Sequence, residues 1–397
     1  MDLLVLDTIH GGEEIARSYR VLGHSVDTLD VYRGSAEDWA AVSGRHHDLI
    51  ISPVHLDPCH PVLVEHSTSR ISHHEAVKQI LSGRAPSPMI EITGARGKTT
   101  TAFALAHLLP GPGVLHTSAG TMGEPGHRPV FHRSITPASV LPAAAEAVRC
   151  GGWLVAEISL GLTGAGDIGI ITTSEDYRCA GGKKSALAEK LRSAAGCSRV
   201  VLAPGISESL PNATRVQDVV ECHGDRCQYD LSGISGGFEN PLLLLESYRV
   251  PMMCAATAAC LLGIDPAPLG LFPPVAGRLS LSREGGRLVV DDSNSGVCAG
   301  TAVEAARYAR KVSGKDEVIL VIGQEGRAVC EGFPGGEISG AISSIGPESV
   351  VLIGDEASAV VVSGISGVYA DSLDEGRKIA LGDPGSGSVV LAVKTWR

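Results

Sequence analysis

Residues 89–100 read MIEITGARGKTT: an apolar run from Met89 to Thr93, a glycine-bounded loop Gly94-Ala95-Arg96-Gly97, then Lys98-Thr99-Thr100 opening the helical stretch TAFALAHLL. Strand, glycine loop and helix in that order form a phosphate-binding unit. Glycines let backbone amides close around an anion, the helix N-terminus adds positive field, Lys98 reaches the terminal phosphates and Thr99 can ligate Mg2+. Gly94, Ala95, Arg96, Gly97, Lys98, Thr99 and Thr100 are therefore the candidate ATP-binding loop. Its first glycine stands only three positions before Gly97, a shorter spacing than the common G-x-x-x-x-G-K-[ST] form.

On the N-terminal side, LLVLDT, the helix-like EEIARSYRVLG and VDTLDVY follow one another as strand, helix, strand, a small Rossmann-like unit that ends near Ser82–Pro88. On the C-terminal side, GWLVAEIS, IGIITT and SRVVLAP are apolar throughout, as parallel strands covered on both faces must be. The Ala-rich MMCAATAACLLG and the Pro-rich stretch 265–274 close this unit. RLVVDDS, TAVEAARYARKV, VILVIGQ, VVLIGD and VVLAVK then repeat the alternation of strands and helices. The expected organisation is α/β in three domains: 1–86, a Rossmann-like substrate domain; 87–274, a central P-loop ATPase domain; and 275–397, a Rossmann-like C-terminal domain.

Composition supports this. At 397 residues, 44% hydrophobic and 19% charged, the chain is globular and multidomain, and its 49 glycines suit many tight turns. A formal net charge of -11 opposes nucleic acid or an anionic membrane as partner. The sequence shows neither a signal peptide nor a bilayer-spanning run, so the expected location is cytoplasmic. The ten cysteines lack framework spacing and read as reduced thiols, with a structural metal at Cys222, His223 and Cys227 as the alternative. No G-x-G-x-x-G follows the first strand, which weighs against a dehydrogenase.

The short loop resembles that of the Mur ligases and folylpolyglutamate synthases, and the resemblance extends outward. Glu157, ending LVAEIS, matches the family's magnesium-binding glutamate. In ITTSEDYRCAGGKKSALAEK, Thr173 stands at the usual asparagine, Asp176 at the acidic position and Tyr177 where a histidine often serves a second magnesium. Lys190 matches the lysine that many Mur ligases carbamylate into an anionic magnesium ligand; an unmodified surface lysine, like Lys183 and Lys184 nearby, is the alternative. Gly277-Arg278 resembles the motif that opens the family's C-terminal domain and sends its arginine to the ATP phosphates. Asp291-Asp292-Ser293-Asn294 resembles its aspartate loop, with Asp292 on the nucleotide. VVLAVK resembles the closing V-L-x-K-G-S, with Thr395 in place of glycine. The resemblance implies ATP and Mg2+ as cofactors, Lys98, Glu157, Lys190 and Arg278 as catalytic residues, and Thr99, Glu157 and carbamylated Lys190 as metal ligands.

The N-terminal third carries polar turns that a plain Rossmann core does not need: LDTIHGG with His10, Gly11 and Gly12, SPVHLDP with His55, and ISHHE with His73 and His74. These six are the candidate substrate residues, with Arg17, Arg20 and Arg33 as further anion partners. With SITPAS (134–139) and SLGLTGAGD (159–167), these runs resemble the coenzyme F430 synthetases, the Mur-like enzymes of methanogenic archaea. That resemblance implies a nickel tetrapyrrole substrate whose propionate is activated as an acyl phosphate before a ring carbon attacks it. Rival readings are an amide-forming Mur-like ligase and a P-loop switch protein. The aspartate loop and Arg278 weigh against a switch.

Overall fold

The computed structural model describes residues 1–65, 68–326, 332–358 and 366–395. The chain forms two compact units, Met1–Phe272 and Pro273–Arg397.

The first unit contains two principal sheets. Strands β1 (Asp2–Leu6), β2 (Ser25–Leu29), β3 (Leu49–Ser52) and β4 (Ser69–Ser72) lie in the order β2-β1-β3-β4, all parallel. Successive side chains of a strand point to opposite faces. Leu3, Val5 and Ile51 accordingly meet the helices Glu13–Val21 and His73–Leu81 on one side, while Leu4, Leu6 and Ile50 meet Val62 and Leu63 on the other. Each such buried aliphatic side chain contributes roughly 1.5–3 kcal/mol.

The second sheet has eight strands. The six with labels are β5 (Met89–Thr93), β6 (Gly113–Thr117), β7 (Gly120–Glu124), β8 (Arg128–Phe131), β9 (Trp153–Glu157) and β10 (Ile168–Ile171). Their order, led by Ala213–Arg215 and Val200–Leu202, continues β10-β5-β9-β6-β7-β8, antiparallel only at β7 and β8. The expected parallel strands are thus present, buried along their whole length. The two sheets share one core: Leu3 and Ile15 belong to the same packed cluster as Val114, Ala144 and Leu154.

The second unit is built on a six-stranded sheet in the order Ser280–Glu284, Arg287–Asp291, Ser388–Lys394, Val318–Gln324, Ser349–Ile353, Ser366–Ala370, parallel except for the first pair. No helix among the described residues is long and apolar enough to cross a membrane.

One sequence expectation fails here. Cys222 and Cys227 face each other across the hairpin Val220–His223/Arg226–Leu231 and are joined as a disulfide, while His223 pairs with Glu221 at 2.9 Å. These two cysteines are neither free thiols nor part of a metal site, because their pairing register puts the two sulfurs against each other.

Candidate active site

In an open parallel sheet, a crevice forms beyond the carboxyl ends of adjacent strands from which the chain departs in opposite directions. The central sheet has this arrangement at β5 and β10, where the phosphate loop lies. Gly94 and Gly97 have φ of 154° and 81°, and a Cβ on Gly94 would sit 2.1 Å from Thr172 Oγ1 at the end of β10. That hydroxyl donates to the Arg96 and Thr93 carbonyls, fastening loop to sheet. Helix Lys98–Leu108 starts at once. Lys98 Nζ folds back to donate to Gly94 O at 3.0 Å, and Thr99 Oγ1 lies 3.3 Å from Ser118 Oγ. Thr99 and Thr100 are buried, Ala95 is half-buried and Arg96 is exposed, with Arg96 Nε 2.8 Å from Glu175.

Glu157 ends β9 opposite Ile92, two residues before Gly94, and is fully buried. The strand register alone therefore brings a carboxylate to the carboxyl edge beside the phosphate loop. Hydroxyl and carboxylate oxygens, here from Thr99 and Glu157, are the donors a hard divalent cation takes.

The N-terminal sheet has a second crevice of the same kind, between β1 and β3. Asp7, just past β1, is buried and held at φ 71°, ψ 83°. Its Oδ1 accepts from the Ile9 and His10 amides, both at 3.1 Å, and its Oδ2 lies 2.8 Å from His10 Nδ1 and 3.5 Å from His55 Nε2. The donors outweigh burial and hold the Asp7 carboxyl below the usual range. Tyr32, after β2, stacks on His55 with ring planes 9° apart and meets His10 edge-on. Gly11 and Gly12 are required here: a Cβ would stand 2.5 Å from Ala138 Cβ in the first case and 2.2 Å from Asp7 O in the second.

His73 and His74 do not join this crevice. Both are buried: His73 Nε2 donates to Leu6 O and His74 Nε2 to Ser159 O, each at 2.9 Å. Burial pushes both imidazoles down to about 4. Each thus ties its helix to a neighbouring backbone carbonyl, away from the Asp7, His10 and His55 cluster. Arg17 and Arg20 lie on the outer face of helix Glu13–Val21, paired with Glu14 and Glu13, and Arg33 is exposed.

In the second unit, Arg278 Nη1 donates to Asn294 Oδ1 at 3.2 Å, and Asn294 Nδ2 donates to Gly277 O and Asp292 O. The Gly-Arg and Asp-Asp-Ser-Asn motifs thus form one knot. Burial pushes Asp292 up to about 8, opposed by the Arg278 guanidinium. Thr395, the residue that replaces the family glycine, donates to Glu325 Oε2 at 3.0 Å and its amide to Asn294 O at 3.3 Å, tying the last strand to this knot.

The family described as the C-terminal domain of coenzyme F430 synthetase CfbE matches residues 281–395. The coenzyme F(430) synthetase of Methanosarcina acetivorans is 32% identical over all of this chain and 98% of its own length. The chain belongs to the coenzyme F430 synthetase family. Among solved structures, MurF of Acinetobacter baumannii superposes with a TM-score of 0.57 at 14% identity, covering 91% of this chain and 85% of that one. MurF of Thermotoga maritima in complex with ADP gives 0.51 at 13%, covering 93% and 91%. The fold is that of the three-domain Mur ligases, and this F430 synthetase homologue is an ATP-dependent ligase.

Within this F430 synthetase family member, Lys190 is not a surface residue. It is fully buried, with its ammonium 4.5 Å from the centre of the Tyr177 ring, the very residue that takes the histidine position. Lys183 and Lys184 are bound elsewhere, to Asp57 at 2.8 Å and Val54 O at 3.0 Å. Asp176 accepts the Leu187 amide, which holds its carboxyl below the usual range.

Sequence reading missed Glu91. Buried in the middle of MIEIT, its carboxylate accepts from the amides of Thr163, Gly164, Ala165 and Gly166 and from the Thr163 hydroxyl, at 2.6–3.1 Å. A charged residue inside an apolar strand was the available signal, because such a charge is retained only where donors surround it.

Proposed function

We propose that this ligase activates a propionate side chain of a nickel tetrapyrrole, seco-F430 acid, and closes its carbocyclic ring by C–C bond formation to give coenzyme F430. A propionate oxygen attacks the terminal phosphorus of ATP and ADP departs, leaving an acyl phosphate. The ring carbon, having lost a proton, then forms a bond to the acyl carbon as the C–O bond to phosphate breaks. The product is one water lighter than the acid. Whole-length similarity to the M. acetivorans enzyme is the observation that carries the substrate assignment.

Residue roles follow from chemistry. The Gly94–Thr100 loop holds the ATP phosphates, Lys98 offsets charge on the transferring group, and Arg278 and Asp292 are assigned to the nucleotide as well. Thr99 and Glu157, with Lys190 once carbamylated, would hold Mg2+, which supplies charge neutralisation at the phosphates. Lys190 is buried at the position where the family resemblance implies a carbamylated lysine, with its Nζ over the Tyr177 ring. His10, Gly11, Gly12 and His55 line the crevice assigned to the macrocycle's polar edge. Nucleophile and electrophile share one molecule, so holding the side chain near the ring carbon and excluding water are the protein's main tasks after activation. The domains assigned to these tasks are 1–86, 87–274 and 275–397.

The test is phosphate release from ATP with a panel of carboxylates, including the uncyclised nickel tetrapyrrole acid, with product mass recorded. Release with the tetrapyrrole and a product lighter by one water supports the proposal. Release only with an amino acid plus another acid overturns it in favour of amide formation.

A further inference from the structure

The crevice between β1 and β3 contains more than a carboxylate subsite needs. Among the described residues, Asp7, His10 and His55 are the one group of three metal-ligating side chains whose donor atoms all lie within 4.8 Å of one another. We propose that these three bind one first-row divalent metal ion of borderline softness, such as Zn2+, Co2+ or Ni2+, with coordination positions left open toward the crevice.

Three observations carry this. The first is geometric. Ligand atoms gathered on one ion at about 2.0–2.2 Å from it stand about 3–3.5 Å apart, and Asp7 Oδ2 lies 2.8 Å from His10 Nδ1 and 3.5 Å from His55 Nε2. The second is that His55 Nε2 is shut off from solvent and makes no hydrogen bond among the described residues; its 3.5 Å approach to Asp7 is too long for a good one. The third is placement. The donors come from two loops at the point where the chain leaves β1 toward β2 on one side and leaves β3 toward β4 on the other, and Asp7 is held at positive φ there, a cost of order 1–3 kcal/mol that persists where function demands it.

The chemistry selects the class of ligand. A buried carboxylate between two imidazoles repels an incoming carboxylate and attracts a cation. Two nitrogens and one oxygen favour a borderline transition metal over Mg2+. Three converging donors also exclude the substrate's own metal as occupant: an ion already ringed by four macrocycle nitrogens offers only two positions, on opposite faces. The ion proposed is therefore separate from the tetrapyrrole's, and its open positions would accept water or a carboxylate oxygen.

The experiment needs neither ATP nor tetrapyrrole, so it succeeds or fails separately from the ligase assignment. The full-length protein, stripped with chelator, is titrated with Co2+ alone and followed by calorimetry and visible absorption, then competed with excess Mg2+. Expected are one equivalent of Co2+ with a nitrogen–oxygen spectrum, resistance to Mg2+, and at least ~10–100-fold weaker binding in His10→Ala and in His55→Ala, both checked for an unchanged thermal midpoint. No binding below about 100 μM, a sulfur-to-cobalt band, or wild-type affinity in both variants overturns the proposal. Should either variant unfold, His55→Gln, which keeps size and polarity but not the imidazole, must show the same loss.

Discussion

Two crevices open on the first unit, each at the carboxyl edge of a parallel sheet, and they are made from opposite materials. At β5 and β10 the site is backbone: glycines at positive φ and a helix start, with side chains added at its rim. At β1 and β3 the site is side chains, an aspartate and two histidines gathered from separate loops, and the glycines serve only to let the chain pass Ala138 and Asp7. Shared topology places both crevices at carboxyl edges, whereas local composition separates the ligands proposed for them: a polyphosphate in one, a metal or polar acid in the other.

Four measurements would break or sharpen this contrast. Lys98→Ala should lower ATP turnover by at least ~100-fold with an unchanged thermal midpoint and unchanged Co2+ titration. Near-normal turnover in a folded variant would remove the phosphate loop from catalysis. Glu157→Gln should raise the Mg2+ concentration for half-maximal turnover by about tenfold or more, and an unmoved titration curve would take Glu157 out of the metal site. His74→Ala should cost about 2–3 kcal/mol of stability by leaving a cavity and an unpaired Ser159 carbonyl, whereas His10→Ala should cost less than about 1 kcal/mol, a difference read by denaturant unfolding. Equal losses would erase the distinction between bracing and lining histidines.

The smallest effect concerns Asp292. Its folded carboxyl is raised to about 8 from an ordinary 3.8, so between these values the folded chain holds a proton that the unfolded chain has released. Stability should then fall as pH rises through that window. Asp292→Asn should flatten this fall, giving a higher thermal midpoint than wild type at pH 8 and little difference at pH 4; parallel profiles would contradict the raised carboxyl.

The same contrast explains what sequence made legible. Gly94–Thr100 and the apolar strands around it are contiguous and obey local rules, so the central sheet could be read directly. His10 and His55 were visible as polar turns, yet their convergence on Asp7 depends on strand order across 48 residues of chain. His73 and His74 sit in the same kind of turn but begin a helix whose buried face takes both rings, a rotation that neighbouring residues do not announce. The Cys222–Cys227 pair was hidden for a related reason: the two-residue turn Gly224-Asp225 sets the register, and the register sets the partner.

The Glu91 clamp has a consequence for motion. Loops with glycines at 161, 164 and 166 are ordinarily the first segments to open and the first that proteases cut. Here four consecutive amides, 163 to 166, point at one buried carboxylate. Their deuterium exchange should be as slow as that of the core strand bearing Glu91, so the segment between β9 and β10 should keep its shape through fluctuations that fray looser turns, and release it only when β5 itself comes apart.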